Sequence, residues 1–172
     1  MYITSVYSTS FDILGAGLHR QLNITLSPDR HLATALLSWQ ITPDFYVDVY
    51  ELQRRKFQFR VDDGETKFID IEIPAHQAGF HSFSCNLASS SVMLPFHIRY
   101  QPAGPHDSSE ILIPSPEVNF IQPSGEIESE YGDPFYLTVP VANTKHLFLV
   151  NFSTLFAAVF GALYLAREIL RK

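Results

Sequence analysis

Cysteine is nearly absent: Cys85 stands alone among 172 residues. One thiol excludes an intrachain disulfide framework, a Cys-x-x-Cys redox pair and a structural zinc site of the usual cysteine type. Its place in the alternating run "FSCNL" predicts that it is buried. Basic residues are also scarce in the body of the chain. Residues 1–144 carry eight Lys/Arg against seventeen Asp/Glu, and the whole chain has a net charge of −6. Such a body cannot displace counterions from a phosphate backbone, so no nucleic acid is expected as a partner. The one basic cluster, "RRK" at residues 54–56, is the size of an ordinary solvated edge.

Catalytic signatures are missing too. "GAG" at residues 15–17 lacks the third glycine and the strand-to-helix setting of a dinucleotide loop, and there is no Walker sequence and no Gly-x-Ser-x-Gly. The seven histidines are scattered, and the nearest two, His76 and His81, lie five residues apart without helical pairing. No catalytic residue, cofactor or metal site is expected. The carboxylate pairs Asp44 with Asp48 and Asp62 with Asp63 fall in turn-like segments, where aspartate bonds nearby backbone amides without catalysis.

What is present is alternation. "RQLNITLS" places Leu22, Ile24 and Leu26 on one face, and "KFQFRV" does the same with Phe57, Phe59 and Val61. "DDGE" at residues 62–65 then reads as a turn into "KFIDIEI", which predicts a hairpin. "HSFSCNL", "MLPFHIRYQ", "PEVNFI" and "FYLTV" read as further strands, while residues 102–109 and 122–134 read as loops. No helix pattern longer than about ten residues stands out before residue 147, the weak exception being "DRHLATALLSWQ". In "LPFHIRYQ", period two sends Leu94, Phe96, Ile98 and Tyr100 inward and Pro95, His97, Arg99 and Gln101 to the wet side. Seven or eight short strands predict a mainly β fold, an antiparallel β-sandwich-like domain over residues 1–140.

After a linker at 141–146 the pattern changes. Residues 147–166, "LFLVNFSTLFAAVFGALYLA", carry no formal charge. A helix of that length rises about 30 Å, the thickness of a bilayer's hydrocarbon core, so a single transmembrane helix embedded in lipid is expected. The tail at 167–172, "REILRK", is basic, which places it in the cytosol and the body across the membrane. The N-terminal residues show neither a basic n-region nor a continuous apolar h-region, so either a leader precedes this chain or the helix is a tail anchor. Asn23 in "NIT" is a glycosylation acceptor if the body is lumenal; "NFS" at Asn151 lies inside the span. Ser153, Ala157 and Gly161 recur every fourth residue, with Thr154, Ala158, Ala162 and Ala166 beside them. Such a strip of small residues suits helix association in lipid.

The strings "GLHR" (17–20), "YVDVYEL" (46–52), "IDIEIP" (69–74), "LPFHIRYQPA" (94–103) and "ILIPSPEVNF" (111–120), in that order and followed by one span, resemble the PIG-X family. The resemblance implies a non-catalytic subunit of glycosylphosphatidylinositol (GPI) mannosyltransferase I in the endoplasmic reticulum membrane. Its lumenal domain and span would bind and stabilise PIG-M, the multi-span subunit that adds the first mannose. Arg20, Asp48, Tyr50, Glu51, His97 and Arg99, with Ser153, Ala157 and Gly161 in the span, are the expected partner contacts. Val49 stands where the family often has proline in Asp-Pro-Tyr-Glu-Leu. Two other classes compete: a tail-anchored adaptor or lipid-binding β domain facing the cytosol, and a membrane-tethered hydrolase with a site assembled from scattered His and Asp.

Overall fold

The computed structural model describes residues 8–27, 34–62 and 69–171. Within them the chain forms eleven strands and two α-helices. A four-stranded sheet has the order β1-β2-β7-β4, built from Thr9–Leu14, His19–Leu26, Ser91–Ile98 and Phe45–Tyr46. A five-stranded sheet has the order β10-β9-β3-β6-β5, built from Ile127–Tyr131, Glu117–Ile121, Thr34–Ile41, His81–Leu87 and Phe59–Val61. A two-stranded ribbon pairs β11 (Phe135–Pro140) with β8 (Ser108–Ile113). Every named pairing is antiparallel.

The core lies between the two larger sheets. Leu22, Ile24, Leu94 and Phe96 from one sheet join Leu37, Trp39, Phe83, Cys85, Val118 and Phe120 from the other in one buried cluster. Trp39 bridges the layers, with ring centroids 4.8 Å from Phe45 and 5.3 Å from Phe96. Its indole N–H donates to the Pro114 carbonyl at 2.8 Å, so burying the ring leaves no orphaned donor. The mainly β, sandwich-like fold expected from the alternation is what forms.

Four local expectations are corrected. Within the weakly helical "DRHLATALLSWQ", residues 34–40 belong to the central strand β3, with Ala35, Leu37, Trp39 and Ile41 all buried, and residues 29–33 lie outside the described residues. Burial on its second face by its neighbours' side chains leaves Leu36 and Ser38 half-covered, which blurs the polar alternation. Among the described residues the expected hairpin is not seen: β5 pairs with β6, and residues 69–73 are irregular, with Ile69 buried and Ile71 exposed. Its turn falls mostly on residues 63–65, outside the described residues. The loop at 122–134 contains β10, which returns along β9 through a Gly125 turn with φ +86°. Arg99, expected on the wet side, is the one buried charged residue among those described, at 3% exposure, while Tyr100 is exposed. Strand β7 ends at Ile98, and alternation ends with it.

Cys85 is buried as expected, and burial pushes its thiol up from 9.0 to about 12. The native state therefore keeps a proton that the unfolded chain releases in alkali. Between those two values the unfolded state binds fewer protons, so stability falls as pH rises, by at most about 1.4 kcal/mol per pH unit. Denaturant unfolding at about pH 8 and about pH 10 should show this decline, and Cys85→Ala should flatten it. An equal decline in the variant would assign the effect to other groups.

The second α-helix, α2 (Leu147–Leu170), follows a single 3₁₀ turn at Thr144–His146. All its described side chains are exposed, and none packs into the β domain. It is long and apolar enough to cross a membrane, and its apolar stretch is wholly exposed. A soluble core helix would hide one face, and this one hides none.

Candidate functional site

The polar residues singled out in the sequence converge where β2, β4, β7 and the short helix α1 (Val49–Arg54) meet. Asp48 caps α1, accepting from the amides of Tyr50 at 2.9 Å and Glu51 at 3.1 Å. Val49 occupies the first helical position, where proline is commonly accommodated because the amide there has no intrahelical partner. Leu52 buries the helix against the core. The helix closes with the amides of Lys56 and Phe57 donating to the carbonyls of Gln53 and Leu52. That is a Schellman pattern carrying Lys56, at φ 61°, where glycine is usual.

This capping aims Glu51 across the sheet end. Its Oε1 takes the Arg55 guanidinium at 2.6 Å, and its Oε2 lies 3.5 Å from His97 Nε2. His97 is directly paired with His19 across β2–β7 and with Tyr46 across β4–β7. His19 Nδ1 lies 3.3 Å from His97 Nε2, and the Tyr46 ring stacks on His97 at 5.2 Å and 10°. One donor atom from each of His19, Glu51 and His97 lies within 4.8 Å of the other two.

Arg99 lies beneath this surface. Its Nη1 donates to the carbonyls of Asp70 at 2.7 Å and Ile73 at 3.0 Å, and its guanidinium carbon sits 4.8 Å from the Tyr46 ring centroid. Burial lowers its pKa, while Tyr46 and Asp70 oppose that shift. For Tyr46 burial and Asp48 raise the phenol's pKa, against Arg99. Arg99 thus pins residues 70–73, where the expected strand is missing, to the end of β7. Arg20 donates to the Gly15 carbonyl in the β1–β2 turn. Gly15 has φ +99°, and a Cβ there would sit 3.0 Å from the His19 carbonyl oxygen, so "GAG" is a turn device beside the histidines.

Of the expected contact residues, Glu51, His97 and Tyr50 sit on or near one surface, Tyr50 being half exposed. Asp48, Arg20 and Arg99 hold the elements that carry it. Reading the sequence missed His19 and Tyr46. The only available sign was that each lies inside a quoted string, next to a residue already chosen or two before it. Asn23 projects from the outer side of β2, opposite Asp12 and Met93 and half-buried between Leu22 and Ile24, which point inward.

In α2, Ser153 Oγ donates to the Leu149 and Val150 carbonyls and Thr154 Oγ1 to Val150, so neither hydroxyl needs an outside partner. Phe148, Phe152, Phe156 and Phe160 form a continuous aromatic ridge. Ser153, Ala157 and Gly161 each follow one of those phenylalanines, about 100° round the helix.

The class is thus an antiparallel β domain joined to one apolar helix long enough to span a bilayer, with an ordered polar cluster at a sheet end. The chain belongs to the PIG-X / PBN1 family, whose model matches residues 15–135. That is a family of non-catalytic accessory subunits in GPI-anchor biosynthesis at the endoplasmic reticulum, associated with a glycosyltransferase complex. No curated protein sequence matches significantly. Among solved structures, the chain is similar at 10% identity to ACE19, the collagen-binding subdomain of the Enterococcus faecalis surface protein ACE. The match covers 83% of this chain and 100% of that one. Its TM-score of 0.30 does not establish a shared fold.

Proposed function

We propose that this chain is the stabilising, non-catalytic subunit of GPI mannosyltransferase I, and that it binds the multi-span, PIG-M-type catalytic subunit that adds the first mannose. Family membership over residues 15–135 carries the reading. The β domain, residues 1–140, is lumenal, residues 141–146 link it to a span at 147–166, and the basic tail at 167–172 is cytosolic. The charge difference between the two ends of α2 supports this orientation. In the lumen Asn23 is available for glycosylation, and its outward-facing place on β2 suits that role.

Two surfaces meet the partner. The polar end formed by Tyr50, Glu51 and His97 faces the catalytic subunit's lumenal loops. Arg20, Asp48 and Arg99 serve this contact by positioning its elements. The strip of Ser153, Ala157 and Gly161 packs against a partner helix, while the phenylalanine ridge faces lipid.

The deciding experiment is a pull-down from membranes in mild detergent through a C-terminal tag that contains no histidine, with mass spectrometry of the co-purifying proteins. Near-equal recovery of a multi-span mannosyltransferase is the expected result. Recovery of cytosolic proteins alone, with Asn23 unmodified, would replace this reading with the tail-anchored adaptor.

A further inference from the structure

We propose that His19, Glu51 and His97 form a binding site for a divalent first-row transition metal ion of the zinc class. This goes beyond the accessory-subunit reading and does not rest on it. Two imidazoles and one carboxylate make a donor set suited to such ions rather than to calcium or magnesium, which prefer all-oxygen shells.

The spacing supports the assignment. Donors bound tetrahedrally to zinc at about 2.0–2.1 Å are separated from one another by about 3.3–3.4 Å. The His19 Nδ1 to His97 Nε2 distance is 3.3 Å, and His97 Nε2 to Glu51 Oε2 is 3.5 Å. The third separation falls within 4.8 Å, so a bound ion would draw His19 and Glu51 closer together.

The three donors come from separate elements, each held independently of the ion. His19 and His97 face each other in the β2–β7 register, and Glu51 is placed by the Asp48 cap of α1. Two neighbouring groups restrain the donors. Arg55 occupies Glu51 Oε1 and leaves Oε2 as a single donor, while Tyr46 stacks on His97 and fixes its ring plane. His19 is exposed, so the fourth coordination position opens to solvent and takes water. The ion would tie α1 to the sheet end. The competing arrangement is a proton shared between the two imidazoles, with no ion bound.

The full-length chain in detergent, with a tag lacking histidine and first stripped by chelator, is titrated with zinc chloride alone by calorimetry. Cobalt(II) absorption then reports the coordination geometry. One ion per chain is expected, with a tetrahedral cobalt spectrum. His19→Gln and His97→Gln should each weaken binding by more than about 10-fold, and Glu51→Gln should weaken it too. His106→Gln, a change at an exposed histidine in another loop, should leave it unaltered. His19→Gln alters an exposed side chain, so unchanged metal-free thermal unfolding shows that its loss of binding is not a loss of fold. Absence of saturable zinc binding by the parent chain overturns the proposal. So does binding of equal strength in both histidine variants. Failure of the membrane pull-down bears on the proposed function and leaves this site standing.

Discussion

Arg99→Ala is expected to lower the unfolding free energy by about 2–3 kcal/mol, measured by denaturant unfolding of the full chain in detergent. The side chain makes two charge-assisted hydrogen bonds, to the carbonyls of Asp70 and Ile73, and lies over the Tyr46 ring. Each such bond contributes about 1.5–3 kcal/mol, but truncation also relieves the cost of burying a cation whose Nε has no partner among the described residues. The expected figure is therefore well below the simple sum. The loss should be concentrated at residues 69–73, where hydrogen exchange should accelerate most. Arg99→Lys keeps the charge but loses the planar fork and should recover only part of the loss. A variant as stable as the parent would show that desolvation cancels the bonds. Because Arg99 is structural, substituting it together with His97 would confuse a folding defect with a lost contact. His97→Ala and Tyr50→Ala are the cleaner probes of the polar end.

The second large effect concerns α2. Ala157→Leu combined with Gly161→Leu should reduce co-purification of the multi-span subunit at least ~10-fold, equivalent to about 1.4 kcal/mol of association energy. The helix packs on none of the described residues of the β domain, so its association surface is not used by them. Leucine is as apolar as the lipid contacts it would keep and a good helix former, so insertion and helicity should be preserved while close approach is blocked. The paired change Phe152→Leu with Phe156→Leu alters the aromatic ridge and should leave recovery unchanged. Equal recovery of both pairs with the parent chain would move the docking energy from the span to the β domain.

Where a strand is solvated on one face, its alternation was readable: β2, β6, β9 and most of β7 follow the expected register. The errors lie where a side chain's environment is set by distant chain. Isoleucine alternation in "IDIEI" resembles a strand, yet among the described residues the partner of edge strand β5 is β6, and Arg99 holds the segment in an irregular path. The polar run "EIESEY" looked like loop because an edge strand can expose much of its surface; pairing with β9 makes it β10.

The candidate site divides in the same way. Asp48 and Glu51 belong to a helix start whose pattern is local, and the strings containing them were visible in the sequence. His19 and His97 stand 78 residues apart, and only the β2–β7 register sets their rings side by side. By itself the sequence determined a β domain with an apolar span, an acidic body and a buried lone thiol, because periodicity, charge and length are properties of neighbouring residues. The tertiary structure alone decided that Arg99 is buried and that two histidines meet one glutamate. Both follow from where strands end and which strands pair, and those are settled by packing the whole core.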